Sequence, residues 1–282
     1  LILIWKLKKS PIGDNYTIKK NSSKLFPLAL NQCSECKFVQ LSHYIDEKVV
    51  YGDYLYVTKT SLGLQKHFKR NSKINLKIGI KKKNIIDIGS NDGSNLEIYK
   101  KNKLQVLGVE PAKKIAHIAN KKKIKTYNYF FNHYASQQIL KKNGKFDLIT
   151  VFNLTANIED LDMFINNIMN LMHDKTILNI ETFSWAGIVD KNLIDNIYHE
   201  HISYFHLNPL LKFFAKKGLE IIRSEYNKSK GSSLLIHEAK KNAYPLDKKN
   251  IQRCLAYEEK LNLNRSDVCK KIIRKNQRIK EK

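Results

Sequence analysis

Ile85-Ile86-Asp87-Ile88-Gly89-Ser90-Asn91-Asp92-Gly93-Ser94-Asn95 is the stretch on which the reading of this chain turns. Ile85–Ile88 reads as a short buried strand, the small residues after it as a turn, and the region from about Leu96 as a helix. Gly89 and Gly93 have no Cβ, so the main chain there can approach a ligand closely. The following helix would aim its N-terminal amides at that ligand. Strand, glycine turn and helix in this order are the phosphate-loop or nucleoside-loop layout of α/β domains. The same pattern also makes a plain tight connection, so the flanking sequence has to decide.

Outward from the loop, strands and helices alternate. Strand 85–88 is followed by a helix around 94–102, then by strand Gln105–Val109, which ends at Glu110-Pro111. A helix over 112–121, a short strand near 125–127 and a helix near 133–142 come next. Strand Phe146–Phe152, a helix over 160–172 and strand Thr176–Glu181 complete the run. This alternation implies a doubly wound α/β domain with a mostly parallel sheet and helices on both faces. Beyond Leu207 the pattern gives a helix over 208–217, strands near 219–226 and 233–239, and a charged, helix-prone stretch from 246.

Glu110 lies 17 residues after Gly93, at the carboxyl tip of the second strand. A carboxylate at that position accepts hydrogen bonds from a ribose hydroxyl pair, as in NAD or S-adenosylmethionine sites. The first loop separates these two. A pyrophosphate needs G-x-G-x-x-G, whereas here two glycines bracket Asp92, and Asp87 sits on the strand. Carboxylates facing the ligand repel a pyrophosphate and suit the cationic sulfonium and amino group of S-adenosylmethionine. The residues therefore point to a class I methyltransferase.

Tyr198-His199-Glu200-His201 adds a possible base. In an extended or irregular segment Tyr198 and Glu200 would share one side, and His199 and His201 the other. A histidine of near-neutral pKa oriented by a carboxylate suits general-base work; a purely structural histidine pair is the alternative.

The strings IIDIGSNDGSNL, GVEPAKKIAHIAN, DLITVFNLTANIEDL and IYHEHISYF together resemble the nucleotide-sugar C-methyltransferases. The resemblance reaches back to CSECKFVQL and YGDYLYVTKTS and on to GSSLLI, covering most of residues 11–240. It implies methylation of a carbon in a nucleotide-linked keto-deoxysugar, through an enolate formed by a base. It makes His201 that base, with Glu200 and Tyr198 supporting it. S-adenosylmethionine contacts are expected from Asp87, Gly89, Ser90, Asn91, Gly93, Glu110, Pro111 and, at the sheet's carboxyl edge, Asn153. Phe130, Phe131 and Asn132, after the third strand, would stack on or flank the adenine or else pack in the core. Asn157 stands where the family usually has histidine. The run Gly231-Ser232-Ser233-Leu234-Leu235 lacks the arginine expected to meet a sugar phosphate, leaving Lys230 as a weak substitute.

Members of that family carry an N-terminal zinc knuckle of two C-x-x-C pairs. Only Cys33 and Cys36 match, a half-site for a tetrahedral zinc, with His43 as the one nearby alternative ligand. Tyr51, Tyr54 and Tyr56 could line a pocket or pack against the next domain. The expected division is 1–67 as an N-terminal segment, 68–195 as the methyltransferase domain and 196–282 as the start of a truncated C-terminal substrate domain. The absence of an initiating methionine fits a fragment.

Composition sets the remaining bounds. The 282 residues are 42% hydrophobic, enough for a real core, and carry a formal charge of +25. Only six of the 51 basic residues are arginine, the residue favoured for bidentate phosphate and base contacts. A lysine-covered solvated surface is therefore preferred to a nucleic-acid site, and RNA methylation or a non-catalytic fragment are the rival functions. No run of 18 apolar residues exists to span a membrane. Four cysteines fit a reducing, cytoplasmic location better than a disulfide framework.

Overall fold

The structure is a computed structural model that describes residues 1–13, 24–45, 57–58, 62–78, 84–270 and 272–273. Tyr51, Tyr54 and Tyr56 lie outside the described residues.

The central sheet is built on the loop region. Strands β4 (Asn84–Ile88), β5 (Gln105–Val109), β6 (Thr126–Tyr127), β7 (Phe146–Phe152) and β8 (Met172–Phe183) are joined by β10 (Leu219–Asn227) and β11 (Ser233–Lys240). Their order is β10-β11-β8-β7-β4-β5-β6. The pairs β4–β5, β4–β7, β5–β6 and β7–β8 are parallel. Strand β11 runs antiparallel to both of its neighbours. A parallel strand covered on both faces should read as a continuous apolar run rather than an alternation. β7, FDLITVF, does so, with every residue buried.

Helices cover both faces. α1 (Leu62–Ile78), α2 (Ser94–Lys101), α3 (Lys113–Lys121), α4 (His133–Asn143), α5 (Leu161–Asn170), α6 (Trp185–Lys191), α7 (Leu207–Lys216) and α8 (Lys248–Lys260) follow in chain order. In α5, Phe164, Ile165 and Ile168 fall on one stripe and are buried, each contributing about 2–3 kcal/mol by burial. Asp160 caps that helix by accepting from the Met163 amide at 2.8 Å. At the start of α7, Glu258 of α8 accepts from the Leu207 and Asn208 amides and from the Tyr226 phenol. One buried carboxylate thus ties α8 to α7 and β10.

Two expectations are corrected here. The sheet does not end at the boundary expected at 195, since β11 pairs along β8 from Ser233↔Phe183 to Glu238↔Leu178. An antiparallel return strand gives no βαβ signal, so the strands beyond 195 read as a separate domain. The boundary expected at 68 likewise falls inside α1, which runs Leu62–Ile78.

The N-terminal residues form a second, antiparallel sheet in the order β1-β2-β3-β9, from β1 (Ile2–Lys6), β2 (Ala29–Gln32), β3 (Val39–Leu41) and β9 (Ser203–Tyr204). Cys33 and Cys36 occupy the turn between β2 and β3, closed by Cys33 N–H to Phe38 O at 2.8 Å and Lys37 N–H to Cys33 O at 3.1 Å. A structural zinc needs four ligands. Among the described residues no group of three or more His, Cys, Asp or Glu is placed to hold a metal. His43 pairs with the Ser42 hydroxyl at 2.6 Å instead. The two thiols by themselves do not fit a zinc knuckle.

Candidate active site

The loop after β4 has the backbone a close-approach site requires. Gly89 and Gly93 sit at φ +74° and +76°, in the left-handed region that favours glycine. A Cβ at Gly89 would lie 3.0 Å from Leu154 Cδ2, and one at Gly93 2.9 Å from Ile124 Cδ1. Asn91 also takes a positive φ, 49°. Its amide donates to Glu110 Oε2 at 3.0 Å, and the Ala112 amide to Glu110 Oε1 at 2.9 Å. The β5 tip is thereby fastened to the β4 loop across Pro111, and each Glu110 oxygen keeps one further lone pair. Burial raises the Glu110 pKa, and the two amide bonds oppose that rise.

Asp87 is buried beside the loop. Thr150, its cross-strand partner on β7, donates to Oδ1 at 2.6 Å, and Asn95 Nδ2, in the first turn of α2, to Oδ2 at 3.1 Å. Burial pushes its pKa up to about 7, outweighing both hydrogen bonds. Asp92 corrects the expectation that the loop carboxylates face the ligand. It is fully buried, its Oδ2 lies 2.8 Å from Lys122 Nζ, and its Oδ1 accepts from the Ser94 amide. The lysine of α3's C-terminal end draws it away from the glycine turn.

The Tyr198–His201 segment is a turn rather than a strand, closed by His201 N–H to Tyr198 O at 3.1 Å. The turn brings residues three apart together, so the expected alternation fails. Tyr198 Oη and His201 Nε2 are 3.0 Å apart, and His201 Nδ1 is 2.9 Å from the Asn196 carbonyl. A carbonyl only accepts, so Nδ1 carries the hydrogen, Nε2 presents its lone pair and the phenol donates to it. The orienting group is thus a main-chain carbonyl and not Glu200. The imidazole stacks on Phe183 of β8 at 4.0 Å between centroids. Burial lowers its pKa to about 4 and keeps it neutral. His199 turns the other way, with Nε2 3.2 Å from the Pro27 carbonyl and its ring edge-on to Phe26. It pins the turn to the N-terminal segment.

Other expected contacts divide. Asn153 follows β7 with φ 56°, and its amide donates to Glu181 O at 2.7 Å. Ser90 is buried in the loop. Phe131 packs edge-on against Phe164, Phe130 is exposed, and the Asn132 side chain caps α4 by accepting from the Ala135 amide. The Phe131 contact and the Asn132 cap hold this segment in place, while the Phe130 ring faces solvent. Sequence reasoning missed Thr150, Asn95 and Glu181. The last is a charged residue inside the apolar run TILNIETF, which was the available signal.

The sheet order, the antiparallel β11 and the glycine loop at the β4 edge define the class I methyltransferase fold, the S-adenosylmethionine-dependent class. The family described as "Methyltransferase domain" matches residues 63–224, and the chain belongs to that family. Among curated proteins the chain is similar to the C-methyltransferase NovU of Streptomyces niveus, 27% identical over 217 residues. That match covers 76% of this chain and 52% of NovU, so the chain spans about half the length of this relative. Among solved structures, a methyltransferase from Anabaena variabilis aligns with a TM-score of 0.53 at 12% identity, over 69% of this chain and 91% of that one. The magnesium protoporphyrin IX methyltransferase of Synechocystis aligns at 0.50 and 15% identity, over 69% and 92%. At such identities these two structures speak for the fold alone.

Proposed function

We propose that the protein transfers a methyl group from S-adenosylmethionine to a carbon beside the ketone of a nucleotide-linked deoxysugar. The observation that carries this is the neutral His201, stacked on Phe183 at the carboxyl edge of β8 with its Nε2 lone pair toward the Tyr198 phenol. The similarity to a protein named as a C-methyltransferase supports the same reading.

The loop fits the cofactor. Gly89 and Gly93 let the loop turn in the left-handed region while packing tightly on Leu154 and Ile124. The Ser90 and Asn91 amides tie the loop to Val109 and Glu110, and Glu110 is a fixed acceptor at its edge with Pro111 behind. Asp87 and Asn153 complete the set at the ends of β4 and β7. When bound, S-adenosylmethionine supplies an electrophilic methyl group on a cationic sulfur.

Carbon methylation requires the carbon to lose a proton first. Once the Tyr198 phenol turns from Nε2 to the substrate oxygen, His201 Nε2 would take that proton and the C–H electron pair would pass into the enolate. The enolate carbon would then bond to the methyl group as the methyl–sulfur bond breaks, the sulfur keeping that pair as a neutral thioether. A buried imidazole with a pKa near 4 holds a proton poorly by itself. The enolate formed beside it supplies the compensating negative charge. Tyr198 then has its phenol available to the substrate oxygen while His201 carries the proton.

His201→Gln tests the assignment. Turnover with a nucleoside-diphosphate keto-deoxyhexose should fall by at least a thousandfold, while S-adenosylhomocysteine binds as in the wild type. Retained turnover removes His201 as the base.

A further inference from the structure

The face of β8 that carries Phe183 also carries a carboxylate that the mechanism above leaves unused. Glu181 lies two residues before Phe183, so both side chains stand on one face about 7 Å apart. Glu181 is only 1% exposed. Its Oε2 is doubly held, by His67 Nε2 at 2.5 Å and Asn71 Nδ2 at 3.0 Å. Both donors come from one face of α1, four residues apart, and Asn75 extends the same row to Asn179 of β8 and His237 of β11. Among the described residues, Oε1 is buried and meets no donor.

A carboxylate oxygen in this state is under strong pressure to find a hydrogen bond. Its position at the carboxyl end of a parallel strand is the side on which α/β sheets bind ligands. Lys230 follows the β10 strand in a left-handed conformation, φ 45°, next to the Ser184–Ser232 contact that joins β11 to the end of β8. It reaches solvent, yet enough protein surrounds it to lower its pKa, and the charge of Glu181 opposes that lowering. Glu181 and Phe183 share one face at the carboxyl end of β8, and His201 stacks on Phe183, so the free carboxylate oxygen and the imidazole lie along the same edge.

We propose that Glu181 is a substrate anchor: its Oε1 accepts a hydrogen bond from a hydroxyl or ammonium group on the sugar ring whose carbon His201 deprotonates. His67 and Asn71 are positioning residues, holding the carboxylate through Oε2 so that Oε1 is presented. This rests on the proposed keto-sugar substrate and adds to it that the ring bears a hydrogen-bond donor within one ring width of the methylated carbon.

The test compares wild type and Glu181→Gln with three nucleoside-diphosphate keto-deoxyhexoses, carrying hydroxyl, amino or hydrogen at the ring carbons next to the methylated one. Wild type should lose tenfold or more in kcat/KM on going to hydrogen, the loss typical of one hydrogen bond to a charged group. Glu181→Gln should show a KM raised by about the same factor on the donor-bearing substrates. It should no longer discriminate them from the hydrogen compound, and should keep wild-type affinity for S-adenosylhomocysteine. Better turnover of hydroxyl or of amino identifies the donor. Should Glu181→Gln fail to fold, the comparison of analogues on the wild type still decides, with His67→Gln as the milder variant. Wild-type turnover that ignores the ring donor, or a Glu181→Gln KM equal to wild type, overturns this inference alone. A cofactor-binding wild type that turns over none of the three overturns the keto-sugar reading and this inference with it.

Discussion

Replacing Asp87 by asparagine should change how the stability of the protein depends on pH, in a direction opposite to the usual carboxylate. Asp87 is 3% exposed, and burial lifts its pKa from 3.8 to about 7 against the bonds from Thr150 and Asn95. Because the folded-state pKa is the higher one, its contribution is fully present below about pH 4 and is lost as pH rises through 7. A raised pKa of this size corresponds to about 4 kcal/mol at roughly 1.4 kcal/mol per unit. About 2.5 kcal/mol of that falls between pH 5 and pH 8. The asparagine side chain of the variant does not titrate, so urea unfolding of both proteins at pH 5, 6, 7 and 8 isolates the group. Buried histidines such as His206 and His237, whose pKa values burial lowers to about 4 and about 3, act the other way. They act equally in both proteins and cancel in the difference. The wild type should lose ground to Asp87→Asn with rising pH and level off above 8. A difference that is flat across this range would refute the argument that desolvation governs Asp87.

Glu110→Ala removes the acceptor that fastens the β4 loop to the β5 tip, and titration calorimetry should show S-adenosylhomocysteine binding weakened tenfold or more; unchanged affinity would take Glu110 out of the cofactor site. Lys122→Ala leaves the fully buried Asp92 with only the Ser94 amide. Removing one partner of such a pair should lower unfolding free energy by about 3 kcal/mol, measured by urea titration. A change within 0.5 kcal/mol, about the size of an ordinary surface substitution, would show the pair to be solvent-screened. His199→Ala unpins the turn of the proposed base from Pro27, and kcat should fall while cofactor affinity holds. Equal kcat in the two proteins would leave His199 without a positioning role.

The parallel half of the fold was legible because its signals are local. β7 is apolar throughout, the helices repeat at 3.6, and the glycine turn has a composition found at few other places in the chain. The antiparallel β11 was legible as a strand but not as part of the same sheet, since pairing with β8 is a tertiary fact. The loop and Glu110 were found by spacing, whereas the direction of the Asp92 carboxylate depended on Lys122, 30 residues away. The geometry of the YHEH segment escapes the sequence for a related reason. Alternation assumes an extended chain, and a single hydrogen bond from residue 201 to 198 turned it into a reverse turn. Glu181 stood in view in the sequence, but only its partners on α1 reveal that one of its oxygens is committed and the other is not.

The small N-terminal sheet has a consequence for the order in which the protein acquires its structure. β2 and β3 form a local hairpin, yet β3 finds its second neighbour only in β9, where Val39 meets Tyr204 and Gln40 meets Ser203. Pro27 meets His199 across 172 positions, and Gln32 donates to the Leu263 carbonyl across 231. During synthesis the hairpin therefore emerges early and waits, one edge unpaired, until most of the chain has followed. Closures of such span are slow, and a waiting edge invites pairing with a neighbouring chain. The turn that carries Tyr198 and His201 is thus among the last parts to be fixed, and the ribosome completes the glycine loop well before it completes the proposed base.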